Sequence, residues 1–95
     1  MNVLDSLPLA KEVIDELEGV LGEDDSMSVH DHGHGYGAVH VTVAHWASTS
    51  ARWFQQHRAD WAYEGPAMVA VTPGEEVPVI NWVEWSRRVR IGENA

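Results

Sequence analysis

The 95-residue sequence contains no cysteine, so neither a disulfide nor a thiolate metal site can supplement its core. It also lacks any run of the roughly 18–20 continuous apolar residues that a membrane-spanning helix needs. At the N-terminus there is no basic leader followed by an apolar block, the arrangement that is typical of a signal peptide. Together these absences predict a cytoplasmic protein with no membrane segment.

Basic residues are scarce. Six Lys and Arg stand against 15 Asp and Glu, which gives a formal net charge of −9. Nine of those acids lie in the first 31 residues, where Lys11 is the only basic side chain. A negative field repels nucleic acid and anionic membranes and attracts basic proteins. We therefore expect a basic protein partner, and no direct contact with nucleic acid or membrane.

The chain has the length of one domain, and 44% of its residues are hydrophobic, which is typical of a globular protein. We expect residues 1–95 to form a single globular domain.

Two segments have the spacing of amphipathic helices. In residues 7–21 the apolar side chains recur every three to four residues, with Ser6 as the expected N-cap and Gly22 at the end. A second helix is expected to begin after a cap at Ser48 or Thr49 and to stop at Gly65 and Pro66. Its predicted apolar stripe consists of Trp53, Phe54, His57 and Trp61.

Four segments are predicted to be strands. Residues 27–32 and 38–46 form one expected hairpin around the turn sequence GHGYG. Residues 67–72 and 79–91 form a second hairpin around PGEE, although a short helix over 79–88 also fits the spacing. The resulting order, αββαββ, predicts an α+β fold: a two-layer sandwich of two amphipathic helices on a four-stranded, mainly antiparallel sheet.

The first helix and the loop after it carry seven of the 15 acidic residues. The helix acids fall opposite the apolar stripe, so they are expected to form one exposed face. A charged face of this kind can serve solubility alone; as a functional surface, it is expected to imitate the phosphates of a nucleic acid toward a basic groove. The members of this predicted acidic surface are Glu12, Asp15, Glu16, Glu18, Glu23, Asp24 and Asp25.

The stretch SVHDHGHGYGAVHVTVAHW holds five of the six histidines. Alternate strand residues share one face, so His30 and His32 could meet His40 across the hairpin and bind zinc. Ordinary strand and loop histidines without a ligand role fit the same pattern, as do a pH-sensitive surface and adventitious metal binding.

Five tryptophans are many for a chain of this length. Three fall on predicted core stripes, whereas Trp46 and Trp82 fall on the sheet face opposite the helices. Exposed tryptophan often anchors a protein interface, so these two residues are expected to bind a partner or to form a homodimer contact through the open sheet face. Burial under a curled sheet or a loop is the alternative.

No motif for a catalytic nucleophile or a dinucleotide-binding loop is present, and no pair of carboxylates has the surroundings of an acid–base pair. The leading hypothesis is a non-enzymatic protein that inhibits or modulates a basic, nucleic-acid-processing partner, like anti-CRISPR, anti-restriction or immunity proteins in charge and size alone. The alternatives are a metal-binding protein or small metal-dependent enzyme that uses the histidines, and a phage or bacterial assembly subunit.

Overall fold

A computed structural model describes residues 6–92, and for residues 69–71 and 78–80 it describes the backbone alone. In chain order its elements are α1 (Ala10–Glu18), β1 (Ser26–Gly33), β2 (Tyr36–Val43), α2 (Thr49–Gln56), β3 (Ala62–Thr72) and β4 (Glu75–Arg90). The predicted order αββαββ and the α+β class are confirmed. The predicted strand over residues 79–88 is confirmed as well, and the alternative helix is wrong, because these residues lie within β4.

The four strands form one antiparallel sheet in the order β1-β2-β4-β3. The two central strands are therefore β2 and β4, and β4 lies between β2 and β3. Alternate residues point to opposite faces, and the register pairs Val39 with Arg87 and Val41 with Trp85. The valines of β2 and Trp85 consequently share one face.

Both helices of the described chain pack on that face. Val13 and Leu17 of α1 are buried there, as is Phe54 of α2. The Phe54 ring stacks on Trp85, with centroids 5.7 Å apart, and meets the Trp61 ring edge-on at 4.9 Å. Burial of these aromatic and branched side chains is the main source of stability in so small a chain. The opposite face of the sheet is not covered by either helix.

The tight turn of the first hairpin consists of His34 and Gly35, both of which have positive φ, 59° and 84°. That combination is typical of a type I′ turn, whose twist matches the flanking strands. Asp31 Oδ1 accepts a hydrogen bond from the Gly33 amide, 2.8 Å away, at a bulge in β1. Because this turn is shorter than the predicted GHGYG, the strands predicted over 27–32 and 38–46 approach it more closely: β1 extends to Gly33 and β2 begins at Tyr36. The second strand also ends earlier than predicted, at Val43.

The helix α1 is shorter than the predicted 7–21. Its N-cap is Leu9, which has no side-chain acceptor, and not the expected Ser6. The reason is a contact with the sheet: the Arg90 amide donates to the Pro8 carbonyl at 2.8 Å, and Leu9 forms a bridge with Arg90. This pairing keeps residues 8 and 9 extended, so the helix begins only at Ala10.

The predicted end of the second helix at Gly65 and Pro66 is wrong. Ser48 is the cap, as expected, and its Oγ accepts a hydrogen bond from the Ala51 amide. The helix stops at Gln56, after which His57 Nδ1 bonds to the Trp53 carbonyl at 2.6 Å. Trp61 is buried at 2% exposure, but it reaches the core from the turn that precedes β3 and not from a helical stripe.

Candidate functional site: an acidic helix face, a histidine pair and an open sheet

Four carboxylates share the solvent side of α1. Glu12, Asp15, Glu16 and Glu18 are all exposed, whereas Val13 and Leu17 are buried beneath them. At about 100° per residue, the four acids occupy an arc of roughly 160° opposite the apolar stripe. The helix therefore has one buried face and one acidic face, as its sequence predicts.

Few basic groups neutralise this face. Within the described part of the chain, the ion pairs join Lys11 to Asp15 at 2.9 Å and Arg87 to Asp60 at 3.9 Å. The hydrogen bond and charge of Asp15 raise the pKa of Lys11. Both partners of that pair are exposed, and such pairs contribute little to stability. The acidic face consequently keeps most of its charge available to a partner.

The three acids of the following loop divide into two roles. Glu23 and Asp24 are exposed, but Asp25 is partly buried and turns inward. Its Oδ2 accepts hydrogen bonds from the Gly22 amide and the Ser50 hydroxyl, both at 2.7 Å. Its Oδ1 accepts one from the Ala44 amide at 2.9 Å.

Burial alone would raise the pKa of Asp25, yet its three hydrogen bonds outweigh this and hold the pKa below the ordinary value. The carboxylate joins the end of β2, the first turn of α2 and the loop that leads into β1. The structure thus gives Asp25 a structural role, which differs from the expected place on the acidic surface. We define the acidic face from here on as Glu12, Asp15, Glu16, Glu18, Glu23 and Asp24.

The three predicted zinc ligands are only partly brought together. The rings of His30 and His40 lie edge to face across β1 and β2, with centroids 4.4 Å apart. The His32 ring stacks instead on Tyr36 at 5.7 Å, because the bulge between Asp31 and Gly33 shifts the end of β1. Among the described residues, no three His, Asp or Glu side chains are arranged to hold a metal ion.

The two tryptophans expected on the open sheet face lie in different settings. Trp46 falls beyond the end of β2, is 61% exposed and stacks on His45 at 5.9 Å. Its backbone amide donates to the Asn81 carbonyl at 2.9 Å. Trp82 lies within β4 and is half-buried, on the face opposite Val83 and Trp85 by strand alternation. Trp46 is therefore a loop residue, because β2 ends three residues earlier than the sequence predicts.

Sequence reasoning missed two contacts. The Arg88 guanidinium lies over the Tyr36 ring, 5.0 Å from its centroid, on the open sheet face. Ser50 is buried at 4% exposure and donates to Asp25. Both contacts join residues far apart in the chain, and the first depends on β4 lying beside β2. Local spacing carries no signal for either.

Neither helix in the described residues has the length and apolar character that crossing a bilayer requires. No known protein family matches this sequence, and no curated protein or solved structure shows significant similarity to it.

Proposed function

We propose that this protein is a non-enzymatic binding module that holds a basic protein against its acidic face and thereby inhibits or modulates a nucleic-acid-processing partner. One observation carries the proposal: the four exposed carboxylates of α1 share one side of the helix. Of these four, Asp15 alone has an ion-pair partner among the described residues.

The density of charge supports mimicry of a nucleic acid. From Glu12 to Glu18 the helix rises about 9 Å, so it carries about one carboxylate per 3 Å of axis. One strand of duplex DNA carries a phosphate about every 3.4 Å. A basic groove that fits a phosphate strand can therefore meet a comparable density of negative charge along the axis of α1.

The distribution of positive charge supports the same proposal. The described arginines lie on α2, in the turn after it and on β4. Arg87 lies over the ring of Trp61 and Arg88 over that of Tyr36. Within the described residues none of these arginines forms an ion pair with the acidic face, so the charge of this face is left to complement a basic partner. Such complementarity steers association and makes it depend on salt.

The test compares two variants with the same change of charge. In the helix variant, Glu12→Gln, Asp15→Asn, Glu16→Gln and Glu18→Gln remove four charges from α1. In the control variant, Glu64→Gln, Glu75→Gln, Glu76→Gln and Glu84→Gln remove four charges from the second hairpin. Tagged wild-type protein and both variants are used to capture proteins from a lysate of the native host, with quantification by mass spectrometry.

The expected result is a basic protein that the wild type and the control variant retain and the helix variant loses. That partner should also release a labelled DNA duplex when the wild-type protein is added, and added salt should weaken the complex. Equal capture by both variants, or a captured partner that keeps its DNA, would contradict the proposal.

Assembly of the chain with itself is a second candidate, favoured by the exposure of Trp46. Large exposed aromatic side chains are frequent anchors of interfaces. If this candidate holds, light scattering at micromolar concentration detects a defined oligomer that Trp46→Ala dissociates. A monomer in both proteins would exclude it.

A further inference from the structure

The two edges of the sheet differ in how they are protected against pairing with another strand. Within residues 6–92, β1 forms one edge and β3 forms the other. An unpaired edge offers a row of amide and carbonyl groups, and proteins usually block it with proline, lysine or bulges. The edge β3 contains Gly65 and Pro66, and its pairing with β4 shifts register at three places.

The edge β1 has little of this protection. From Ser26 to Asp31 its residues pair with β2 in one continuous register, and the sole bulge lies at the end of the strand. Its sequence, SMSVHDHG, contains no proline, lysine or arginine. Val29, in the middle of the strand, is a large hydrophobic residue that is 42% exposed. The strand therefore offers a continuous edge, with no internal bulge, proline or lysine, along which another strand can pair.

Acidic residues flank this edge at both ends. Glu23 and Asp24 lie three and two residues before the start of β1 and are exposed, and Asp31 lies near the other end of the strand. Six extended residues span roughly 20 Å, which is the length of a short added strand. A peptide segment with apolar or β-branched residues at its centre and basic residues at both ends complements this edge. Its centre lies beside Val29, and its basic ends lie near the carboxylates.

We propose that the free edge of β1 binds an extended, basic segment of the partner protein, which adds to the sheet as a fifth strand. The proposal rests on the proposed function, since it specifies how the basic partner docks. Main-chain hydrogen bonds supply affinity in this mode of recognition, and side chains supply specificity. A second copy of the chain fits less well, because each copy carries a formal charge of −9 and brings the same acids to the junction.

The probe is a synthetic peptide with two lysines at each end and Val-Thr-Val-Thr-Val between them. Three relatives of this peptide serve as controls: one with all backbone amides N-methylated, one with glutamates in place of the lysines, and one with the lysines alone on a Gly-Ser spacer. Binding is measured by fluorescence anisotropy at low salt, and NMR amide shifts of the labelled protein locate the site.

Strand addition predicts that the unmodified peptide binds at least about tenfold more tightly than its N-methylated form, because several backbone hydrogen bonds are lost. The amide shifts should concentrate in β1. The glutamate peptide should not bind, since the same acids repel it.

Two substitutions on the protein test the edge itself. Val29 and Met68 are exposed to similar degrees, 42% and 48%, and lie on opposite edge strands. A lysine in β1 should repel the basic peptide and remove its apolar contact, so Val29→Lys is expected to weaken binding by about tenfold or more. The matched variant Met68→Lys should bind as the wild type does. Far-UV circular dichroism confirms that both variants fold.

The outcomes separate this inference from the proposed function. If the unmodified, N-methylated and Gly-Ser peptides bind equally and the helix variant loses all three, strand addition is wrong while the acidic face stands. If no basic peptide binds, both proposals fail for this class of ligand. If the protein forms dimers that Val29→Lys dissociates and no peptide binds, the edge serves a second copy and the inference is overturned.

Discussion

Replacement of Asp25 should cost this small protein a substantial part of its stability. The carboxylate accepts hydrogen bonds from the Ala44 amide and the Ser50 hydroxyl in partly buried positions, and from the exposed Gly22 amide. Water can replace the carboxylate at Gly22, so that bond contributes little. Each of the other two bonds is worth about 1–1.5 kcal/mol, at the upper end of the ordinary range, because the acceptor is charged but only partly buried. We therefore expect Asp25→Ala to lower the free energy of unfolding by about 2–3 kcal/mol.

The charge of Asp25 gives this effect a pH dependence of known sign. The folded-state pKa lies below the ordinary value of 3.8, so ionised Asp25 stabilises the fold fully above that value. This contribution is lost as the pH falls through the folded-state pKa. Asp25→Asn keeps one carbonyl oxygen but has no charge, and is expected to lose about half as much stability at pH 7. The difference in the free energy of unfolding between wild type and Asp25→Asn should therefore become smaller as the pH is lowered.

Urea unfolding, followed by the fluorescence of the buried tryptophans Trp61 and Trp85, measures these differences. Asp24→Ala is the matched control, because Asp24 is exposed, and its effect should stay within about 0.5 kcal/mol. Two results would refute the role assigned to this carboxylate. One is a loss of unfolding free energy below about 0.5 kcal/mol in Asp25→Ala. The other is a difference in unfolding free energy between wild type and Asp25→Asn that stays constant from pH 7 to about pH 2.

Four further substitutions or conditions test the fold. Ser48→Ala removes the side-chain cap of α2 and should cost about 1 kcal/mol in urea unfolding. Gly37→Ala places a Cβ against the backbone of the neighbouring strand and should cost about 2 kcal/mol; a neutral effect would contradict the tight packing of this hairpin. His34→Asn suits the positive φ of the turn better than histidine and should raise the melting temperature, with a gain of about 0.5 kcal/mol. Added salt should screen repulsion within the acidic face and stabilise the wild type by about 0.5 kcal/mol, but not the helix variant.

The parts of the fold that were predictable from sequence are those that depend on local periodicity. Alternating valines in β2 and the apolar stripe of α1 identified their elements, because each buries one face against the same core. The boundaries failed where a distant strand decides the local structure. Pairing with Arg90 keeps Leu9 extended although the sequence predicts a helix from residue 7, and the long β3–β4 hairpin includes residues whose spacing also fits a helix.

The candidate site divides in the same way. The face of α1 follows from helical spacing, so four of its acids were predictable one by one. The role of Asp25 was not, since its donors Ala44 and Ser50 are 19 and 25 residues away in the chain. The sequence also contains no information on which hairpin edge is free, because that depends on β4 lying between β2 and β3.

The acids of α1 destabilise the helix on which they lie. Glu12 and Glu16 are like charges one turn apart, and Glu18 lies at the C-terminal end, where the helix dipole disfavours a negative charge and no basic residue compensates. A nine-residue helix is too short to persist without tertiary contacts, so burial of Val13 and Leu17 must offset this repulsion. Local rules are most often broken where a surface serves a partner. The acids of α1 weaken their own helix and, apart from the pair with Lys11, form no ion pair within residues 6–92, which is the pattern expected of a binding surface whose counter-charges belong to another molecule.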